Sequence, residues 1–116
     1  MLSVLTALLL AQAPTPQASE PAPTPPTARE LERGSELGER WGRCVNRAGD
    51  RFARSRESVD VIVQAVFGAC ASQEDAVRGF TLRHFGSAAA DRAIADGRRS
   101  IRETVAARLL ERRASR

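Results

Sequence analysis

From Thr27 onward, apolar positions recur at three- and four-residue steps in three blocks separated by polar breaks. In the first block Leu37, Trp41, Cys44, Val45, Ala48 and Phe52 fall on one stripe, with Leu31 off it. That period marks an amphipathic helix. Thr27-Ala28-Arg29-Glu30 fits a capping box, in which the Thr hydroxyl and the Glu carboxylate each take an otherwise unpaired amide. Helix 1 is therefore predicted from Thr27 to near Ala53.

A polar break follows at Arg54-Ser55-Arg56-Glu57-Ser58, with Ser55 or Ser58 as the next N-cap. Val59, Val63, Val66, Cys70, Val77 and Phe80 make the second stripe, flanked by Ile62 and Phe67. Alternation over Val59–Val66 is too short to outweigh this longer helical repeat. At ~100° per residue the apolar face is about 140° wide, which calls for more than one neighbour. Gly86 stops helix 2, because glycine readily takes the left-handed cap conformation. In the third block, Ser87 is the expected N-cap and Ala90, Ile94, Ile101, Val105 and Leu109 form the stripe. Arg98 interrupts it, and the terminal ERRASR is expected to be disordered. The fold class is thus all-α, an antiparallel helical hairpin plus a third helix in a three-helix bundle.

The two cysteines set the register of the hairpin. Cys44 and Cys70 each lie thirteen residues from position 57, inside the predicted turn. Residues equidistant from the turn of an antiparallel hairpin share one height. The same rule pairs Phe52 with Ile62, Ala48 with Val66 and Leu37 with Val77, all apolar. A Cys44–Cys70 disulfide is predicted, contributing roughly 3–4 kcal/mol by restricting the unfolded chain. The spacing does not fit a C-x-x-C redox motif. Two Cys and one His fall short of the usual four ligands of a structural zinc. No metal or cofactor is expected.

Gly34, Gly38 and Gly42 form a smooth ridge on helix 1, and Ala89, Ala93 and Gly97 a similar one on helix 3. Extending the register through Gly86 places Gly34 near Ala93 and Gly38 near Gly97, which favours close packing of helices 1 and 3; the alternatives are that the glycines simply weaken helix 1 or that the ridge is a homodimer face.

The segment before Thr27 has another character. Leu2–Ala11 is an apolar run with the length of a signal-peptide core, well short of the roughly twenty residues of a membrane span. Small residues follow at Ala11-Gln12-Ala13, although the run is not preceded by Lys or Arg, and Pro14 makes cleavage after Ala11 or Ala18 an alternative. No cysteine lies near the leader to carry a lipid anchor. All six Pro fall between Pro14 and Pro26, where they favour an extended, unpacked spacer. The organisation read from this is a signal peptide at 1–13, a Pro-rich linker at 14–26 and a helical domain at 27–116. It predicts a periplasmic or secreted protein.

Charge adds one candidate surface. All eighteen basic residues are Arg, as GC-rich codon usage would produce, and the net charge is +4. Residues 86–116 carry eight Arg against four acids. Arg99, Arg102 and Arg113 lie on the outer side of helix 3 and are the candidate anion-binding residues; the alternative is an ordinary solvated face with internal pairs such as Arg99 with Glu103. His84 suits a packing or capping role near a helix C-terminus, and no nucleophile–base set can be assembled around it. Export and the lack of interleaved aromatics argue against nucleic acid, and no small-molecule substrate is inferred.

Trp41-x-x-Cys44 followed by Ala65-x-x-Gly68-x-Cys70 resembles the hairpin of small exported bacterial helical proteins with two cysteines. The resemblance spans residues 37–80 and implies the compartment, with no activity to carry over. The expected function is a non-enzymatic structural or protein-interaction role. The alternative is binding of anionic lipid or an envelope polyanion through the Arg-rich third helix.

Overall fold

The computed structural model describes residues 21–115. Within them lie four helices: α1 (Ala28–Phe52), α2 (Val59–Ala69), α3 (Ala71–Phe85) and α4 (Ser87–Ala114). The leader at 1–13, residues 14–20 of the linker and Arg116 lie outside the described residues.

The all-α class and the disulfide are as expected; the count of three helices is not. The predicted second helix divides at Cys70, whose φ of −111° and ψ of 18° leave the helical range. The Cys70 amide still donates to the Val66 carbonyl at 3.1 Å, and the Glu74 amide to the Cys70 carbonyl at 3.1 Å. The chain thus re-forms a helix at once, without a loop. Gly68 weakens the helix just before the break, and Cys70 is held from the side by its bond to Cys44. The three-helix bundle is replaced by α1, a broken antiparallel return of α2 and α3, and α4 running parallel to α1.

The helix ends follow from local chemistry. The capping box at Thr27 forms with both of its hydrogen bonds, 3.1 Å and 3.2 Å. Ser58, rather than Ser55, caps α2 by accepting the Val61 amide at 3.3 Å. Between α3 and α4 the cap is Gly86 at φ 91°, a backbone state that favours glycine. Ser87 is therefore the first residue of α4 and not its N-cap. The ERRASR segment is helical through Ala114, contrary to the expected disorder. Arg112 reaches Asp50 at 3.3 Å and Arg113 donates to the Glu57 carbonyl, which ties this end to α1 and the α1–α2 loop.

The core lies along the inner faces of all four helices. Ile62, Val63, Val66, Cys70 and Leu109 are almost wholly buried, joined by Trp41, Val45, Ala48, Ile94 and Val105. α1 packs on α2 and α3, and α4 packs on the same pair. The predicted glycine-ridge packing does not form. Gly38 and Gly42 face open space, Gly34 lies against the Phe80 ring, and Gly97 lies under the Trp41 indole. Aromatic rings, not facing backbones, fill the space that these last two glycines leave.

Candidate functional site

Three polar constellations stand out against this core. The first is built around Glu74, buried at 4% exposure on α3. Arg98 of α4 grips its carboxylate with two bonds, Nε to Oε1 at 2.6 Å and Nη2 to Oε2 at 3.1 Å. Arg78 approaches the same carboxylate at 3.7 Å and Asp91 at 3.9 Å. The Arg98 guanidinium also lies 5.4 Å from the centroid of the Phe67 ring, within cation–π range. The hydrogen bond to Glu74 holds Arg98 protonated above its ordinary value, outweighing the opposing effect of burial. A forked guanidinium matches two carboxylate oxygens, so the carboxylate is satisfied from within the fold.

The second constellation joins the linker to the bundle. His84, 6% exposed, places Nδ1 2.7 Å from the Thr24 carbonyl and Nε2 3.2 Å from Glu30 Oε2. Both partners accept hydrogen bonds and a neutral imidazole carries one N–H. The Thr24 amide donates to the Arg83 carbonyl at 3.1 Å, and Phe80 lies 4.8 Å from His84, ring centre to ring centre. Residues 21–26 have no regular secondary structure, as expected. Thr24, however, is strapped to the end of α3, which corrects the expectation of an unpacked spacer over that stretch. Glu30 has its carboxyl lowered below 4.5, first by the Thr27 backbone amide and the Thr27 hydroxyl, with smaller help from the charges of His84 and Arg83.

The third is the distribution of arginines. Arg99 pairs with Asp96 on its own helix at 3.6 Å, Arg102 with Asp60 of α2 at 3.7 Å, and Arg113 donates to the Glu57 carbonyl. The three expected anion-binding residues are therefore spread along α4, each with a different internal partner. Arg108 and Arg112 share Asp50 of α1. Every α4 arginine from Arg98 to Arg113 is engaged in this way. On α1 the situation reverses: Arg29, Arg33, Arg40 and Arg47 are exposed and have no hydrogen-bond or ion-pair partner among the described residues. Charge summed per segment does not show which arginines are paired across the fold.

Cys44 and Cys70 are joined, with Cα atoms 5.9 Å apart. Cys70 is fully buried, so the bond is a structural staple between α1 and the break in the return segment. Sequence reasoning missed the Glu74–Arg98 pair. A usable signal was present: both residues lie twelve positions from the Gly86 turn, and Arg98 sits on an otherwise apolar stripe.

Comparison of the chain with protein-family models, curated proteins and solved structures finds no match. The functional reading therefore rests on the residues themselves.

Proposed function

We propose that this chain is an exported, non-enzymatic interaction module that engages an anionic component of the cell envelope. The observation that carries this reading is the contrast in arginine pairing: Arg98 to Arg113 of α4 all have internal partners, whereas Arg29, Arg33, Arg40 and Arg47 of α1 have none among the described residues. Arginine is always charged and presents a planar fork that suits phosphate and carboxylate, so an unpaired exposed row of them favours an anionic partner. The disulfide fits an oxidising compartment, periplasmic or extracellular. Among the described residues no helix is long and apolar enough to cross a membrane. The inward engagement of Glu74 and His84 supports binding over catalysis, since a catalytic group must reach a substrate.

A second reading, docking of a protein partner, is favoured by Leu82 and Phe85, which are 45% and 50% exposed at the strapped end of α3. Binding to anionic probes across ionic strength separates the two. Affinity that falls with added salt is expected for the anionic reading. Absence of any salt-sensitive binding would defeat it and leave the apolar end of α3 as the working surface.

A further inference from the structure

We propose that the anion-binding surface is the groove between α1 and α3, and that its occupant is a linear polymer carrying phosphate groups. This inference rests on the anionic reading above and relocates it from α4. At ~100° per residue, Arg29, Arg33, Arg40, Arg47 and Arg51 all fall within a sector of about 40° on α1. At 1.5 Å per residue they span about 33 Å. The acidic residues of α1 lie outside that sector, with Glu36 about 20° beyond its edge at ~100° per residue, and Arg43, on the same side, pairs with Glu39 at 3.8 Å. Among the described residues, Arg29, Arg33, Arg40 and Arg47 of this row have no hydrogen-bond or ion-pair partner.

The row borders a concave surface. Arg40, Arg43 and Arg47 line one recess opposite Ser72 and Gln73 of α3. Arg33 and Glu30 line the next, opposite Arg83 and His84 of α3, where the Glu30 carboxylate is held by His84. Leu37 and Ala76 belong to both recesses, so the two join into one groove with a partly apolar floor. A groove with a row of guanidinium groups along one wall matches a chain whose charges repeat along its length. A bilayer would meet the ridges and leave the floor unused. The larger exposed side chain of α1, Leu31, lies on the far side of the helix from the arginine row at ~100° per residue. It is therefore misplaced to insert into lipid alongside that row. Phosphate is the favoured charge because arginine binds it through two parallel N–H bonds.

The test uses the folded, oxidised protein and inorganic polyphosphate as the probe, with phosphatidylcholine vesicles with and without phosphatidylglycerol as the second arm. Two triple variants are compared: Arg33→Gln/Arg40→Gln/Arg47→Gln on α1 and Arg99→Gln/Arg102→Gln/Arg113→Gln on α4. Both remove the same charge, and circular dichroism melting verifies that each is folded. Three arginine–phosphate contacts predict about a twenty-fold fall in wild-type affinity for a four-fold rise in salt. The α1 variant is expected to lose most of its binding and this salt dependence, and the α4 variant to keep both. In the wild-type protein, polyphosphate is expected to shift the NMR amide signals of Arg40, Ser72 and Gln73, a readout independent of the variants. Equal weakening of both variants, or loss in the α4 variant alone, would overturn the groove while leaving the anionic reading in place. Binding to anionic vesicles through the α1 arginines, without binding to polyphosphate, would overturn the polymer as occupant. No binding to either probe would remove the anionic reading itself.

Discussion

Glu30 and His84 meet at 3.2 Å, and both lie twenty-seven residues from Glu57. Cys44 and Cys70, thirteen residues on either side of the same point, are bonded, and Gly34 lies against Phe80, twenty-three on either side. One register therefore runs along the whole of α1, past the break at Cys70, to the end of α3. Around Gly86 the same relation places Glu74 opposite Arg98, twelve residues on either side. The fold turns back twice, and each turn sets the height of every residue that follows.

Acid should loosen the end of the bundle where Glu30 sits. Its carboxyl is lowered below 4.5 in the folded protein by the Thr27 hydrogen bonds first and by the His84 and Arg83 charges last. A depressed folded value means that the contribution is fully present above the ordinary carboxylate value. It is lost as pH falls from about 4.5 through the lowered value. Melting temperature followed from neutral to acid pH should decline over that window more in the wild type than in Glu30→Gln. Parallel profiles would show that the capping box does not carry the effect.

The disulfide closes a separation of 26 residues. On the chain-entropy account its removal by Cys44→Ala/Cys70→Ala costs about 3–4 kcal/mol, a large share of the roughly 5–15 kcal/mol that holds a domain together. Urea unfolding of the oxidised protein and of the double variant measures this. Thiol titration of the denatured protein, isolated without reductant, should find no free thiol.

Two glycines should respond with opposite signs. A methyl group on Gly38 would meet open space, so Gly38→Ala gains helix propensity of up to about 1 kcal/mol. A Cβ on Gly97 would lie 2.6 Å from the Trp41 ring. That ring is buried in the core and has little room to retreat, so Gly97→Ala should cost about 1–3 kcal/mol. Thermal melts of the two single variants give both signs directly. A stabilised Gly97→Ala would mean that the indole does not sit over α4.

Breaking the Glu74–Arg98 pair from the arginine side should hurt more than removing both charges. Arg98→Met leaves the buried Glu74 carboxylate without its two shortest hydrogen bonds and should cost about 1–3 kcal/mol. The figure is below that of a fully buried pair because the Arg98 side chain is half exposed. Glu74→Leu/Arg98→Met removes the uncompensated charge and should recover part of the loss. Chemical denaturation of the two variants and the wild type decides it. Additive losses would show that the two residues act independently.

Much of this fold was legible beforehand. The helical class, the capping box at Thr27, the start of α2 at a serine cap, the Gly86 break and the cysteine pairing all follow from short-range chemistry and apolar spacing. These signals depend on neighbours within a few residues, or on equal distance from a turn. The break at Cys70 was hidden because the apolar stripe runs through it unchanged. The break coincides with the residue tethered to Cys44. The strap at Thr24 was hidden because a Pro-rich stretch offers few side chains to read, and its bonds use the carbonyl and amide of Thr24 itself.

The arginines mark the boundary most clearly. Their number, their identity and the row along α1 are written in the order of residues, since a helical period assigns each one a direction. Whether a given guanidinium is spent on an internal acid depends on what the fold sets across from it. Asp50 of α1 meets Arg108 and Arg112, and Asp60 of α2 meets Arg102, because the return segment brings α4 alongside. Coulombic pairing acts over a few ångströms in space, whatever the separation along the chain. Hence the three-dimensional arrangement gave Arg98 to Arg113 of α4 internal partners and, among the described residues, left Arg29, Arg33, Arg40 and Arg47 of α1 without any.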